Sequence, residues 1–344
     1  MRKLAALFHL IDSNDFPACH EEGDSVVYVD DDADCASDDT PEGLQQKIQK
    51  EANLSAEWLA DNRLCVAEDK TKLMVIATKK LKEVRHKNSD MEINLNGEII
   101  KESKSQKLLG VVINNELTWK NHLYGDEENM GLIPQLNKRA GMVKRLAKYV
   151  DKSKLKCFVS SIFYSKLNYC LPVFGNIFRL GGYNDTNKRS TIFTKRDNHN
   201  LQVLQNKVNR ILTNSGPMAT TAELIALTDS LSVHQMIAYQ TATFMHKVVI
   251  SGKPKYIFEK IKPRRLSTVS LRHKKGSVAI PKYNLSVSRE GVIYRGGILY
   301  NKLPEYLRNE QNVRKFQTDL KGWIKENIAI KPFSKYPSLF HPRK

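Results

Sequence analysis

The sequence predicts an α+β chain in which a small unit of antiparallel strands and one helix precedes a mainly α-helical remainder. Three observations predict it. A β-branched run, Val26-Val27-Tyr28-Val29, stops at three consecutive aspartates and is followed by a well-capped helix and a second apolar run. From Leu132 onward, apolar residues recur at helical spacing. Charge is also unevenly divided: residues 1–44 hold two basic against twelve acidic side chains, a net of −10, whereas residues 45–344 hold 53 against 25, a net of +28. An acidic end suits metal ions and a basic remainder suits a polyanion, although scattered lysines also serve solubility.

The first strand delivers Asp30, Asp31 and Asp32 to the tip of a tight hairpin. Adjacent carboxylates are costly to keep ionised without a counter-charge, and a pair of divalent metals is the usual remedy in phosphoryl-transfer enzymes. The plainer reading, a strand running into a solvated turn, fits the same residues. A calcium loop does not fit, because its sixth position is Cys35 where Gly is needed and its twelfth is Pro41 where a bidentate Glu is needed. Asp39-Thr40-Pro41-Glu42 then starts a helix with a capping oxygen, Pro in the first turn and a carboxylate at the positive end of the dipole. That helix is expected to run to about Asp61 with Leu44, Ile48, Ala52, Ser55 and Leu59 near one face, and Asn62 is expected to close it in the left-handed conformation. A strand is expected over Lys72–Ile76.

The order and identity of these residues resemble the palm of a reverse transcriptase from a non-LTR (LINE-type, jockey-like) retrotransposon. Tyr28-Val29-Asp30-Asp31 is similar to its Y/F-x-D-D motif, and Trp58, Asn62, Lys70, Thr71 and Met74 are similar to W-x-x-x-N-x-L followed by K-T-x-x-M. Lys107-Leu108-Leu109-Gly110-Val111-Val112-Ile113 with Leu117-Thr118-Trp119 and His122 resembles the K-x-L-G-V-x-I, L-T-W-x-x-H hairpin that holds the primer end in that family. The resemblance implies Asp30 and Asp31 as catalytic ligands of Mg²⁺ or Mn²⁺, Lys70 near the nucleotide phosphates, and Lys107, Gly110 and Trp119 beside an RNA template and DNA primer.

Leu4 to Pro17 resembles the end of the motif that precedes the catalytic hairpin, with Asp12 where the family carries an aromatic residue. The strand bearing the third catalytic aspartate and the fingers would lie before Met1. Two-metal transfer needs carboxylates bridging ions roughly 3.5–4 Å apart. Loss of a supporting partner typically costs about 10–100-fold, so loss of a bridging ligand costs more. The chain alone is therefore expected to be inactive as a polymerase. Arg2-Lys3 before Leu4-Ala5-Ala6-Leu7-Phe8 is also compatible with a secretory start, though His9 and Asp12 interrupt it early. No run reaches the ~18 apolar residues needed to span a membrane. Five widely spaced cysteines without a C-x-x-C pair point to reduced thiols in a nuclear or cytoplasmic compartment.

Beyond the hairpin, Gly125-Asp126-Glu127-Glu128 reads as a linker, which bounds a partial palm at 1–124. Leu132–Tyr149 is amphipathic and carries Lys138, Arg139, Lys144 and Arg145, and Lys154–Leu171 is a second helix ended by Pro172. In the resembled family these two correspond to the thumb, placed at 125–180, and imply contacts from those four cations to the template–primer duplex. A basic helical region follows over 190–330, with a break at Gly181–Asp185, a helix over Asn200–Leu212 and a helical block over Thr221–Ile250. Lys253–Lys275 holds nine Lys or Arg, including Arg264 and Arg265, against Glu259 alone, and suits either a strand-tracking groove or a solvated loop. Val292–Arg295, Tyr300–Arg308 and Phe316–Trp323 resemble the closing segment of LINE-type reading frames, and 331–344 is expected to be a disordered tail. The sequence thus reads as a reverse transcriptase fragment. The alternatives are a non-catalytic nucleic-acid-binding remnant or a decayed reading frame.

Overall fold

The computed structural model describes residues 15–28, 31–77, 90–176, 192–262 and 276–330. Asp30, Gly181–Asp185, Arg264, Arg265 and the tail 331–344 lie outside the described residues. The described chain is mainly helical with three two-stranded sheets, and it divides into two compact units.

The first unit comprises Met1–Leu108 and Ile113–Glu116. Strand β1 (Asp24–Tyr28) pairs antiparallel with β2 (Asp31–Cys35), Tyr28 opposite Asp31, so the polar run Asp31–Cys35 does form the returning strand. Helix α1 (Pro41–Asp61) starts where the sequence places it: Thr40 Oγ1 accepts from the Gly43 amide at 3.1 Å and Pro41 sits in the first turn. Leu44, Ile48, Ala52 and Ala56 pack on a small core of Leu73, Val75, Met91, Ile93, Leu95 and Ile100. The last four of these come from the segment that forms the hairpin of β3 (Glu92–Leu95) and β4 (Glu98–Lys101). Its turn is Asn96-Gly97, both at positive φ. Gln49 on α1 covers the open edge of β3, accepting from Asn94 N at 2.8 Å and donating to Asn94 O at 2.7 Å.

Two expectations for this unit are corrected. Asn62 closes α1 at φ −88°, with its side chain donating to Trp58 O, and Arg63 takes the left-handed conformation at φ 57°. Lys72–Ile76 is no strand. It makes one parallel bridge, Leu73 to Glu102, in which the Ser103 N–H donates to the Leu73 carbonyl, and the Ser103 hydroxyl donates to the same oxygen.

Strands β5 (Ser105–Leu108) and β6 (Val111–Asn114) form the third hairpin around Leu109-Gly110. The second unit comprises Leu109–Val112 and Leu117–Lys344. It begins with helices α2 (Lys120–Tyr124) and α3 (Leu132–Leu146). The single helix expected over Lys154–Leu171 is instead α4 (Lys152–Val159), a π-helical turn (Ser160–Tyr164) and α5 (Ser165–Asn168). The Arg139 guanidinium donates to the Ile162 carbonyl within that widened turn. The segment ends before Pro172, because Cys170 adopts φ 54°, and Pro172 lies in the first turn of α6 (Leu171–Phe174), where its missing N–H costs little.

Helix α7 (Lys195–Thr213) carries a Thr194–Asp197 capping box. The expected block Thr221–Ile250 is two helices, α8 (Thr221–Thr228) and α9 (Val233–Ser251), separated by Asp229 at φ 49° and restarted by a Ser232–Gln235 capping box. Then follow α10 (Lys255–Ile261), α11 (Ser286–Glu290), α12 (Val292–Lys302), α13 (Glu305–Arg308) and α14 (Val313–Asn327). One continuous cluster of buried side chains runs from Leu123 to Ile328, so α3 to α6 and the helices that follow share a core.

Polar side chains fix how that core is assembled. On α7, Gln202 accepts from Val233 N at 2.9 Å and donates to Gln205 and Asn206. Gln205 donates to Leu231 O at 2.7 Å, and Asn206 donates to Thr221 Oγ1 at 2.9 Å. Asn209 accepts from Tyr164 Oη at 2.9 Å. Farther along, Gln235 donates to Ile328 O at 2.8 Å.

Three histidines in this unit, His122, His234 and His246, are buried, and desolvation lowers each to a pKa of about 4, assisted by Lys166 at His122 and opposed by Glu310 at His246. Each is therefore neutral when folded and binds a proton near pH 6.5 when unfolded. The contribution of these histidines to the stability of this unit is fully present above about pH 6.5 and falls as the pH drops toward 4, by about 1.4 kcal/mol per pH unit for each histidine. Urea unfolding between pH 7 and 4.5 checks this, and a flat stability across that window would contradict it.

Candidate nucleic-acid and metal site

The aspartate hairpin is held by side chains rather than by neighbouring strands. His20 follows a 3-10 turn (Phe16–Cys19) whose buried Phe16 packs edge-on against Trp58 at 5.0 Å. The His20 Nδ1 meets Glu51 Oε2 at 2.8 Å, and its Nε2 lies 3.3 Å from Asp34 Oδ1. Glu51 Oε1 accepts from Glu22 N at 2.7 Å, and Ser55 Oγ lies 3.3 Å from Asp34 Oδ2. Desolvation opposes the charge on Glu51, which is 1% exposed, but the Glu22 amide and His20 outweigh it and hold its carboxyl below the usual range. This cluster ties β2 to the middle of α1. The two buried polar residues on α1, Glu51 and Ser55, are the ones facing it.

Asp31 is exposed at the start of β2. Asp32 also reaches solvent, yet its carboxyl is pushed above the usual range by desolvation against the hairpin and by Asp34. Of the predicted pair Asp30–Asp31, only Asp31 is among the described residues, and among those no group of three or more His, Cys, Asp and Glu is gathered to hold a metal ion. The described residues do not by themselves assemble a two-metal donor set. Lys70 is exposed in the turn after Ala67.

The predicted nucleic-acid contacts fall into two kinds. Lys107 is exposed on β5, and Lys138, Lys144 and Arg145 are exposed on α3. Gly110 forms the β5–β6 turn at φ 81°. Trp119 is half-buried against the second unit's core, within 6.5 Å of Phe174 and His122. Arg139 is half-buried on the Ile162 carbonyl. Lys148, just past the end of α3, and Lys152 and Lys156 are exposed as well. Residues 132–176 hold nine Lys or Arg and one acid, Asp151, which pairs with Lys154 at 3.1 Å.

No protein-family model, curated protein or solved structure matches the chain. No helix among the described residues is long and apolar enough to cross a membrane.

His20 and Glu51 were missed by sequence reasoning because they lie 31 residues apart and gain a partner only on folding. Replacing Glu51→Ala orphans the Glu22 amide and His20, at a cost of about 1–3 kcal/mol to the first unit. Amide exchange should accelerate across β1 and β2 while α9 keeps its protection; unchanged exchange in the hairpin would contradict the clamp.

Proposed function

We propose that the chain is a nucleic-acid-binding fragment of a non-LTR retrotransposon reverse transcriptase. The observation that carries the reading is the surface of residues 132–176, where Lys138, Lys144, Arg145, Lys148, Lys152 and Lys156 are exposed with one acid nearby in sequence. Lysines presented in this way neutralise phosphates and release counterions, which binds RNA or DNA without reading bases. The motif order Tyr28–Asp31, Trp58–Met74 and Lys107–His122 supports the retroelement identity.

In this reading Asp30 and Asp31 are the metal ligands of the complete enzyme, where Mg²⁺ or Mn²⁺ supplies charge stabilisation for nucleotidyl transfer, and Lys70 faces the incoming phosphates. Lys107 and the Leu109-Gly110 turn lie beside the primer. On this reading the part played by these residues is to hold a template and primer. The reading places the protein in the nucleus or cytoplasm, wherever a template is copied.

Binding of a labelled RNA–DNA duplex should weaken steeply as salt rises. Replacing Lys138, Lys144, Arg145 and Lys148 by Ala should lower both the affinity and the log–log salt slope, by about 0.9 for each phosphate that is no longer neutralised. Replacing Lys321 and Lys325, which pair with Asp229, should leave the slope unchanged. A wild-type slope near zero, or equal effects of the two sets, would sink the proposal.

A further inference from the structure

The Leu109-Gly110 turn carries a strain that a distant side chain holds in place. Two-residue hairpin connections favour positive φ at both positions, and the chain supplies φ 46° at Leu109 and 81° at Gly110. Gly110 accepts this freely, whereas a leucine is strained in the left-handed region and is a rare choice where Asn or Asp is usual. Leu109 is also 41% exposed, so its side chain is not fully buried in return.

The stabilising contact comes from Tyr169. Its hydroxyl donates to the Leu109 carbonyl at 2.6 Å, and its ring lies under Gly110, Cε1 being 3.4 Å from where a Cβ would stand. Tyr169 is half-exposed but flanked by core residues. It sits between α5 and the left-handed Cys170, with Leu167, Leu171 and Phe174 fully buried on either side, and Lys166 Nζ lies 5.8 Å from its ring centroid. His122 Nδ1 accepts from Val112 N at 3.3 Å just past the turn. A solvent-facing tip made of a strained residue, an aromatic support and a cation is an arrangement that folding alone does not require, and strain of this kind gathers where a ligand is gripped.

We propose that Tyr169 is a positioning residue that holds the Leu109-Gly110 turn in the conformation with which the chain grips a nucleic-acid strand. The inference rests on the nucleic-acid reading above. It names a residue that the hairpin motif does not contain, and it couples that residue to the turn. An Asn-Gly turn adopts the same conformation unaided, so Leu109→Asn should make the Tyr169 hydroxyl dispensable.

The test is a double-mutant cycle on the full chain, Y169F and L109N singly and together, read by anisotropy with a labelled RNA–DNA duplex and by thermal unfolding. Y169F should weaken binding by about five-fold, as loss of one hydrogen bond would, with the salt slope unchanged because every phosphate-neutralising cation is kept. In the L109N background the Y169F penalty should shrink below about two-fold, as expected when the two side chains act through one turn. A Y169F variant that binds like wild type, or a penalty of the same size in both backgrounds, would overturn the positioning role while leaving the nucleic-acid reading intact. A wild-type chain that fails to bind the duplex would overturn both.

Discussion

The second unit depends on a row of amides that an apolar helix would lack. Gln202, Gln205, Asn206 and Asn209 are buried on α7, and the first three reach Val233 N, Leu231 O and Thr221 on the segments that follow. A buried amide without a partner costs more than a good hydrogen bond contributes, so each one penalises any packing in which its partner is displaced. Hydrophobic burial drives the cluster from Leu123 to Ile328 together, but it does so without direction. The amides supply direction, fixing where α8 and α9 begin relative to α7. The cationic face of α3 is carried on that fixed frame, since Leu132, Leu136, Ala140 and Val143 lock the helix into the same core.

In the first unit the equivalent constraint is a buried polar cluster. A two-stranded hairpin is marginal on its own, and β1–β2 leaves Val26 and Tyr28 exposed on its outer face. What retains it is the contact of His20 with Glu51 and Asp34, together with Glu22 N on the same Glu51 carboxylate. The hairpin that carries Asp31 is thus anchored at its base by buried polar groups.

Elements defined by local chemistry were legible in the sequence, and those defined by partners were not. Thr40-Pro41-Glu42 announced the start of α1, and the apolar spacing from Leu132 announced α3. The β3–β4 hairpin was written in Asn96-Gly97, a strong turn signal around which no strands were expected. The Lys72–Ile76 run alternates as a strand does and buries Leu73 and Val75, yet its pairing is limited to the single bridge from Leu73 to Glu102, a long-range outcome. The break at Cys170 hides for the same reason: its left-handed backbone is set by the packing of Leu167, Leu171 and Phe174, while Pro172 offered a more obvious stop. At the candidate site, exposure of Lys138, Lys144 and Arg145 followed from helical periodicity, whereas the burial of Trp119 and the engagement of Arg139 with Ile162 arise from tertiary contacts.

On the proposed reading these residues hold template and primer while carrying an incomplete catalytic carboxylate set. Primer extension on a primed RNA template with Mg²⁺ or Mn²⁺, run on the chain and on its Asp30→Ala, Asp31→Ala double variant, tests that most directly. The expected result is no templated extension by either protein, with salt-sensitive binding retained by both. Extension by the chain that disappears in the double variant would contradict it, because the third carboxylate would then have to lie within these 344 residues.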